Sequence, residues 1–143
     1  MATERRANVT WQGDLMSGSG TIESVTSGVL GGLGVTWRSR SEEPGGNTSP
    51  EELIAAAEAA CFSMALSNGL AQAGHAPEQL ETSATVTFQP PEGITKIALT
   101  VRGSVPGISE DDFRAAADQA KENCPVSKAL ASVPSITLDA NLS

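Results

Sequence analysis

The chain has 143 residues, a length that predicts a single domain over 1–143 with room for a hydrophobic core. Nine Lys and Arg residues against 17 Asp and Glu residues give a net charge of -8, which argues against nucleic acid or an anionic membrane as a partner. Aromatic residues make up only 3% of the chain and Tyr is absent, so the light core favours support from a partner subunit.

Two lone cysteines, Cys61 and Cys124, stand out in this composition. The N-terminus contains no apolar core of a signal peptide, and we expect no stretch long enough to span a bilayer. These features predict a cytoplasmic protein in which the thiols stay reduced and serve redox chemistry rather than cross-linking. Because two thiols and the single His75 are too few ligands for a metal site, we expect no metal and no resident cofactor.

Alternation of apolar and polar residues between Gly- and Pro-rich turns predicts six strands: 8–12, 21–25, 35–40, 82–88, 94–105 and 135–142. The first three indicate a three-stranded meander, and the next two indicate a hairpin. With the helices that lie between them, these strands predict an α+β fold.

The longest predicted helix begins at Pro50, with Ser49 as its N-cap, and ends near residue 73, where Gly74 supplies the C-terminal cap. Apolar residues cover almost every face of this segment, so we expect a helix buried at the centre of the fold. Two shorter helices are predicted between the hairpin and the last strand.

The position of Cys61 defines what its chemistry requires. It lies 12 residues beyond the N-cap of its helix, too far for the helix N-terminus to favour a thiolate, so a cation must come from elsewhere in the fold. Arg38 and Arg40 are the candidates. Cys124 would cap the short helix that starts at Pro125, where backbone N–H groups favour an anion. The alternative for either cysteine is a small buried apolar side chain.

Four segments form a recognisable pattern: 48–67 around Cys61, 94–97, 105–108, and 123–128 around Cys124. With these segments the chain resembles the OsmC/Ohr family of thiol-dependent peroxidases, most closely its osmotically inducible protein C branch. The similarity extends over nearly the whole chain. It implies an OsmC-like fold in which antiparallel sheets wrap around long central Cys-bearing helices of an intertwined homodimer.

The resemblance also implies a reaction, the reduction of organic hydroperoxides and, more weakly, of hydrogen peroxide. Cys61 matches the peroxidatic residue, which becomes a sulfenic acid, and Cys124 matches the resolving residue, which forms a Cys61–Cys124 disulfide. An external dithiol, lipoyl-type in some relatives, then restores both thiols. We expect an apolar substrate site lined by Phe62, Met64 and Leu66.

The arginine and glutamate of the family's site match Arg40 and Glu51. Arg38 stays an alternative to Arg40, because both would lie on one face of a strand. Glu51 and Cys61 are ten residues apart, about 15 Å along a straight helix. If both serve one reaction centre, either the helix bends sharply or a second subunit supplies the glutamate, and the family's homodimer with interfacial sites favours the second.

Glu58 departs from the family, whose members often have His at this position. A carboxylate about one helical turn from Cys61 would oppose thiolate formation if it faced the sulfur. Two other classes of function fit the same sequence. One is a non-catalytic carrier of apolar ligands, and the other is a redox-sensing stress protein whose disulfide changes a partner surface.

Overall fold

Six strands and four helices make up the structure, a computed structural model that describes residues 1–143. In chain order they are β1 (Ala7–Gln12), β2 (Ser19–Val25), β3 (Leu33–Val35), α1 (Trp37–Ser41), α2 (Pro50–Gln72), β4 (Gln79–Gln89), β5 (Gly93–Ser104), α3 (Glu110–Asn123), α4 (Pro125–Ala129) and β6 (Ser135–Leu142). The α+β class is confirmed. The backbone divides into two compact units, Met1–Leu53 and Ile54–Ser143, and the prediction that they form one domain stays a prediction.

The first unit contains the predicted meander, an antiparallel sheet in the order β1-β2-β3. The prediction of a strand over 35–40 is wrong beyond Val35, where α1 begins instead. The reason is a capping box: Thr36 Oγ1 accepts the Ser39 N–H at 2.9 Å, and Ser39 Oγ accepts the Thr36 N–H at 2.9 Å. Arg38 and Arg40 therefore lie on a helix, where residues two apart do not share a face.

Both predicted ends of α2 are confirmed. Ser49 Oγ accepts the Glu52 N–H at 3.1 Å, which satisfies one of the unpaired donors of the first turn. At the other end Gly74 adopts φ +87°, and the His75 N–H reaches back to the Leu70 carbonyl at 2.8 Å, as in a Schellman cap. The 23 residues from Pro50 to Gln72 form one continuous helix.

The expectation that α2 is buried on all sides is wrong for a single chain. Phe62, Leu66 and Leu70, spaced four residues apart on one face, have no exposed surface. Another face remains open to solvent: Met64 is 70% exposed, and Ala56, Ala57 and Ala60 are exposed beside it on the helix. The helix therefore leaves an apolar stripe without a partner in its own chain.

The length of α2 also corrects the expectation that no stretch could span a bilayer. At 23 residues, the helix is long enough and apolar enough to cross a membrane on length and composition alone. Core helices of soluble proteins meet the same criterion. Glu58 lies in the middle of α2 and is buried. A core helix accommodates such a carboxyl group, whereas a lipid-facing helix does not.

The second unit contains a mixed sheet in the order β4-β5-β6. The predicted hairpin is confirmed, with β4 and β5 antiparallel. β6 pairs parallel to β5, so the expectation of purely antiparallel sheets is wrong here. The physical reason is the connection, because α3 and α4 lie between β5 and β6 and a helical crossover returns the chain in the same direction.

The core of the second unit forms where α2 and α3 meet this sheet. Its fully buried members include Phe62, Leu66 and Phe113, packed with Leu99 and Val101 of β5. The Phe113 ring lies against β5 at Gly103, where a Cβ atom would come within 2.7 Å of two ring carbons. A glycine is thus required in this strand for close approach of the ring.

Two glycine-to-alanine substitutions test this packing. Gly103→Ala should lower the free energy of unfolding by about 1–3 kcal/mol, because the added methyl group overpacks the core against Phe113. Gly69→Ala on α2, where an added Cβ meets nothing within 4 Å, should raise it by about 0.5–1 kcal/mol through helix propensity. Urea unfolding followed by circular dichroism measures both. Equal effects from the two substitutions would contradict the packing described.

Candidate active site

The structure brings the two cysteines together. Cys61 lies at the middle of α2 and is half-buried, whereas Cys124 is fully buried, and both are free thiols. The Cys124 side chain lies close enough to Cys61 to raise the pKa of its thiol. Two reducing equivalents are therefore stored at adjacent sulfur atoms.

Cys124 is held in place by the ends of two helices. Its N–H donates to the Ala120 carbonyl at 2.9 Å, which closes the last turn of α3, and its own carbonyl accepts the Lys128 N–H at 3.0 Å, which opens α4. Pro125 starts α4 at the position where a missing N–H costs nothing. The backbone on both sides of the buried sulfur is thus fixed by hydrogen bonds.

The N-terminus of α4 acts on Cys61 rather than on Cys124. Cys124 occupies the N-cap position of α4, but its side chain makes no capping hydrogen bond. The backbone N–H of Val126 instead faces Cys61 and favours its anionic form, which lowers the pKa of that thiol. The sequence signal for this was present, since a Cys-Pro step that opens a helix leaves unpaired N–H groups at the next residues.

The balance of influences on Cys61 still favours the neutral thiol. Burial raises the pKa of Cys61 above its ordinary value, the hydrogen bond with Cys124 raises it further, and the charge of Glu58 adds a smaller increase. The Val126 N–H opposes these effects by lowering the pKa. None of the groups that shift this pKa is a cation. The groups that shift this pKa therefore favour the neutral thiol, whereas a reactive thiolate requires an opposing positive influence.

Glu58 lies one helical turn before Cys61 and is completely buried. The Ser127 hydroxyl of α4 donates a hydrogen bond to Glu58 Oε1, while Glu58 Oε2 has no hydrogen-bond partner. Its charge reaches the Cys61 sulfur, as the sequence suggested it could. Ser127 was not singled out by the sequence, where nothing marks a serine on a short helix as the partner of a residue 69 positions away.

Arg40 and Glu51 form the other predicted pair, within the first unit. Arg40 donates from Nε and from its terminal nitrogen to Glu51 Oε1 at 2.9 and 2.8 Å, and from Nε to Oε2 at 3.2 Å. Arg38 instead makes an exposed ion pair with Glu42 at 3.4 Å. Of the two arginines, Arg40 is therefore the one that Glu51 orients. Its side chain keeps one third of its surface exposed.

The expected apolar lining of the substrate site changes in the structure. Phe62 and Leu66 have no exposed surface because they pack in the core of the second unit, so they cannot meet a substrate. Met64 is the one residue of the predicted three that remains accessible.

Comparison with known proteins identifies the family. The protein-family model described as OsmC-like protein matches residues 43–139, a range that includes Glu51 and both cysteines. The chain belongs to the OsmC family. It is 43% identical over 145 residues to Peroxiredoxin OsmC of Escherichia coli (strain K12) and, at the same identity, to that of Shigella flexneri, with 99% of each chain covered.

Solved structures of OsmC and Ohr proteins share the fold. The organic hydroperoxide resistance protein OsmC from Legionella pneumophila aligns over 96% of both chains with a TM-score of 0.65 and 24% identity. The organic hydroperoxide resistance protein OhrB of Bacillus subtilis aligns over 96% of this chain and 98% of its own, with a TM-score of 0.64 and 24% identity. The likeness to these two structures establishes the architecture, and the E. coli and S. flexneri relatives support a peroxidase role.

Removing the buried charge beside Cys61 should lower the pKa of that thiol. We expect Glu58→Gln to move the Cys61 titration to lower pH, since the carboxylate charge raises the pKa and the amide carries none. The measurement is thiolate ultraviolet absorbance against pH, with Cys124→Ser in both proteins so that one thiol titrates. Glu52→Gln, at an exposed position on the same helix, is the matched control and should leave the curve in place. A curve unmoved by Glu58→Gln would show that this charge does not act on Cys61.

Proposed function

We propose that this chain is a thiol-dependent peroxidase that reduces organic hydroperoxides and, more weakly, hydrogen peroxide. The single observation that carries the proposal is the contact between the reduced sulfurs of Cys61 and Cys124. Cys61 is half-buried and Cys124 is fully buried, which suits a peroxidatic cysteine that meets the substrate and a resolving cysteine that does not.

The chemistry follows from this pair. The Cys61 thiolate attacks the terminal oxygen of the hydroperoxide, the O–O bond breaks, and the alcohol leaves with a proton while Cys61 becomes a sulfenic acid. Cys124 then attacks the Cys61 sulfur, an S–S bond replaces the S–O bond, and water departs with the Cys124 proton. An external dithiol, of lipoyl type, reduces the disulfide by exchange and restores both thiols.

Arg40 is the cation that we assign to Cys61. A thiol whose pKa is raised by its own surroundings needs an opposing positive charge to react at neutral pH. The two-point attachment to Glu51 orients the planar guanidinium, and one third of the Arg40 side chain is exposed. Ten residues of α2 separate Glu51 from Cys61, so we assign the Arg40–Glu51 pair to the site of a second subunit.

A homodimer with sites at the subunit interface accounts for the exposed apolar surface. Met64 and its alanine neighbours leave one side of α2 uncovered in a single chain. On the first sheet, Val9 and Trp11 of β1 are also exposed, at 57% and 40%. Surfaces of this kind mark contacts with other molecules, and a second copy of the chain would cover them.

An apolar substrate and a cytoplasmic location complete the proposal. Met64, three residues beyond Cys61 on α2, supplies a flexible apolar contact of the kind that accommodates alkyl chains. In the cytoplasm both thiols stay reduced, as the proposed cycle requires.

Cysteine substitutions distinguish this function from its alternatives. With tert-butyl hydroperoxide and a dithiol reductant, Cys61→Ser should abolish turnover, whereas Cys124→Ser should still consume hydroperoxide but form no disulfide within the chain. Hydroperoxide consumption is the measurement. Turnover that survives Cys61→Ser would indicate a carrier with incidental thiols, and a wild-type protein that stops after one equivalent in the presence of dithiol would indicate a redox sensor.

Two arginine substitutions test the assignment of the cation. Arg40→Met should lower kcat/KM for tert-butyl hydroperoxide by about a hundredfold, because it removes the charge that stabilises the Cys61 thiolate. Arg38→Met removes an exposed ion pair of the same short helix and should change kcat/KM by less than about threefold. Steady-state kinetics measures both values. Similar losses of kcat/KM in the two variants, or no loss in Arg40→Met, would contradict the assignment of Arg40 as the cation for Cys61.

A further inference from the structure

A second contact joins α2, which carries Cys61, to α4, which begins directly after Cys124. Glu58 precedes Cys61 by three residues on α2, and Ser127 follows Cys124 by three residues on α4. The Ser127 hydroxyl donates to Glu58 Oε1, and both side chains are buried, with 7% and 0% of their residue surface exposed. One polar contact therefore lies directly next to the sulfur pair and spans the same two helices.

This contact is expensive for the fold. A buried carboxyl group needs compensation for the water that it loses, yet Glu58 forms no ion pair and its Oε2 has no donor. An apolar pair of similar volume would often stabilise a protein as well or better. A polar contact that costs stability at such a position points to a role in the reaction.

The geometry of α4 indicates what that role is. The helix has only five residues, too few to be stable without external contacts. Its first turn supplies the Val126 N–H to Cys61, and the residue before it supplies the resolving sulfur. Whatever fixes the first turn of α4 against α2 therefore sets the approach of Cys124 to Cys61.

We propose that the hydrogen bond between Glu58 and Ser127 is a latch that holds the first turn of α4 on α2, which makes both residues positioning residues for disulfide formation. The inference rests on the proposed peroxidase function for its meaning in the catalytic cycle. The contact itself acts on the pairing of the two sulfurs, whichever oxidant drives it.

The latch governs a competition at the Cys61 sulfenic acid. In the productive branch the Cys124 sulfur displaces the hydroxyl group, the S–S bond forms as the S–O bond breaks, and water carries away the thiol proton. In the other branch a second hydroperoxide oxidises the sulfenic acid to sulfinic acid and leaves as an alcohol. Release of α4 slows the first branch without affecting the second.

A matched pair at Ser127 isolates the hydroxyl group. Ser127→Thr keeps the donor and Ser127→Val loses it, and both add the same methyl group. After exposure of reduced protein to excess tert-butyl hydroperoxide, mass spectrometry gives the ratio of disulfide to sulfinic acid. We expect Ser127→Val to give a ratio about tenfold or more below that of Ser127→Thr, as a lost hydrogen bond to a charged group predicts. Equal ratios in the two variants would overturn the latch.

A second comparison separates positioning from a structural role. Glu58→Gln keeps an oxygen acceptor for Ser127 and should retain a high ratio of disulfide to sulfinic acid. The double variant Glu58→Met with Ser127→Ala makes the contact apolar, and we expect its melting temperature to be unchanged or higher while the ratio falls. If the melting temperature and the ratio fall together, the pair serves the fold and the proposal is wrong.

Oxidation by diamide tests the latch without depending on peroxidase activity. This reagent takes two hydrogen atoms from a thiol pair, so the rate of Cys61–Cys124 disulfide formation reports on how close the sulfurs are held. Ser127→Val should again react more slowly than Ser127→Thr by about tenfold. A wild-type protein that fails to consume hydroperoxide while this difference persists would refute the proposed function and leave the latch standing; equal diamide rates would refute the latch.

Discussion

The proximity of the Cys61 and Cys124 side chains is the constraint on which the proposed chemistry depends. For the two sulfurs to approach each other, the middle of α2 must lie against the junction of α3 and α4. The core holds α2 in this position, because Phe62 and Leu66 are buried against β5 and α3. Backbone hydrogen bonds on both sides of Cys124 fix the position of the second sulfur. A half-buried thiol thus lies near a fully buried one, and oxidation of the first leaves the second nearby.

The same surroundings create an electrostatic problem. Burial, the neighbouring thiol and Glu58 all raise the pKa of Cys61, and one backbone N–H from Val126 is the only opposing influence among the groups that shift it. A peroxidase with this thiol alone would react slowly at neutral pH, because only the thiolate is nucleophilic. The oriented and partly exposed guanidinium of Arg40 is the complement that this chemistry needs, and a second subunit is the source that we assign to it.

Much of this architecture could be predicted from the sequence, and the failures have physical causes. The caps of α2, the hairpin and the helix that starts after Cys124 follow from local residue patterns, which the structure confirms. The strand predicted over 35–40 failed because Thr36 and Ser39 form a capping box with serine in the place of the usual Glu or Gln. The parallel pairing of β6 follows from a crossover over two helices, which no local pattern reports.

The site shows the same division between local and long-range information. Sequence motifs were enough to propose Cys61, Cys124, Arg40 and Glu51. The choice of Arg40 over Arg38 as the partner of Glu51 depends on the helical conformation of α1, which the sequence did not predict. Phe62 and Leu66 were expected to line the substrate site because their burial against the core could not be predicted from their helix alone.

Glu58 illustrates how two requirements meet at one residue. Its negative charge works against the thiolate of Cys61, and its buried, half-satisfied carboxyl group works against stability. Both unfavourable effects come from Glu58, the residue that accepts the hydrogen bond of Ser127. Ser127 lies on α4, the helix that begins directly after the resolving cysteine. If the cation that opposes this charge comes from a second subunit, as we propose, the negative charge carries a further consequence. An unpaired chain would hold its thiol neutral and unreactive, and assembly would switch it on, so that peroxide chemistry would be confined to the dimer in which the apolar face of α2 is covered.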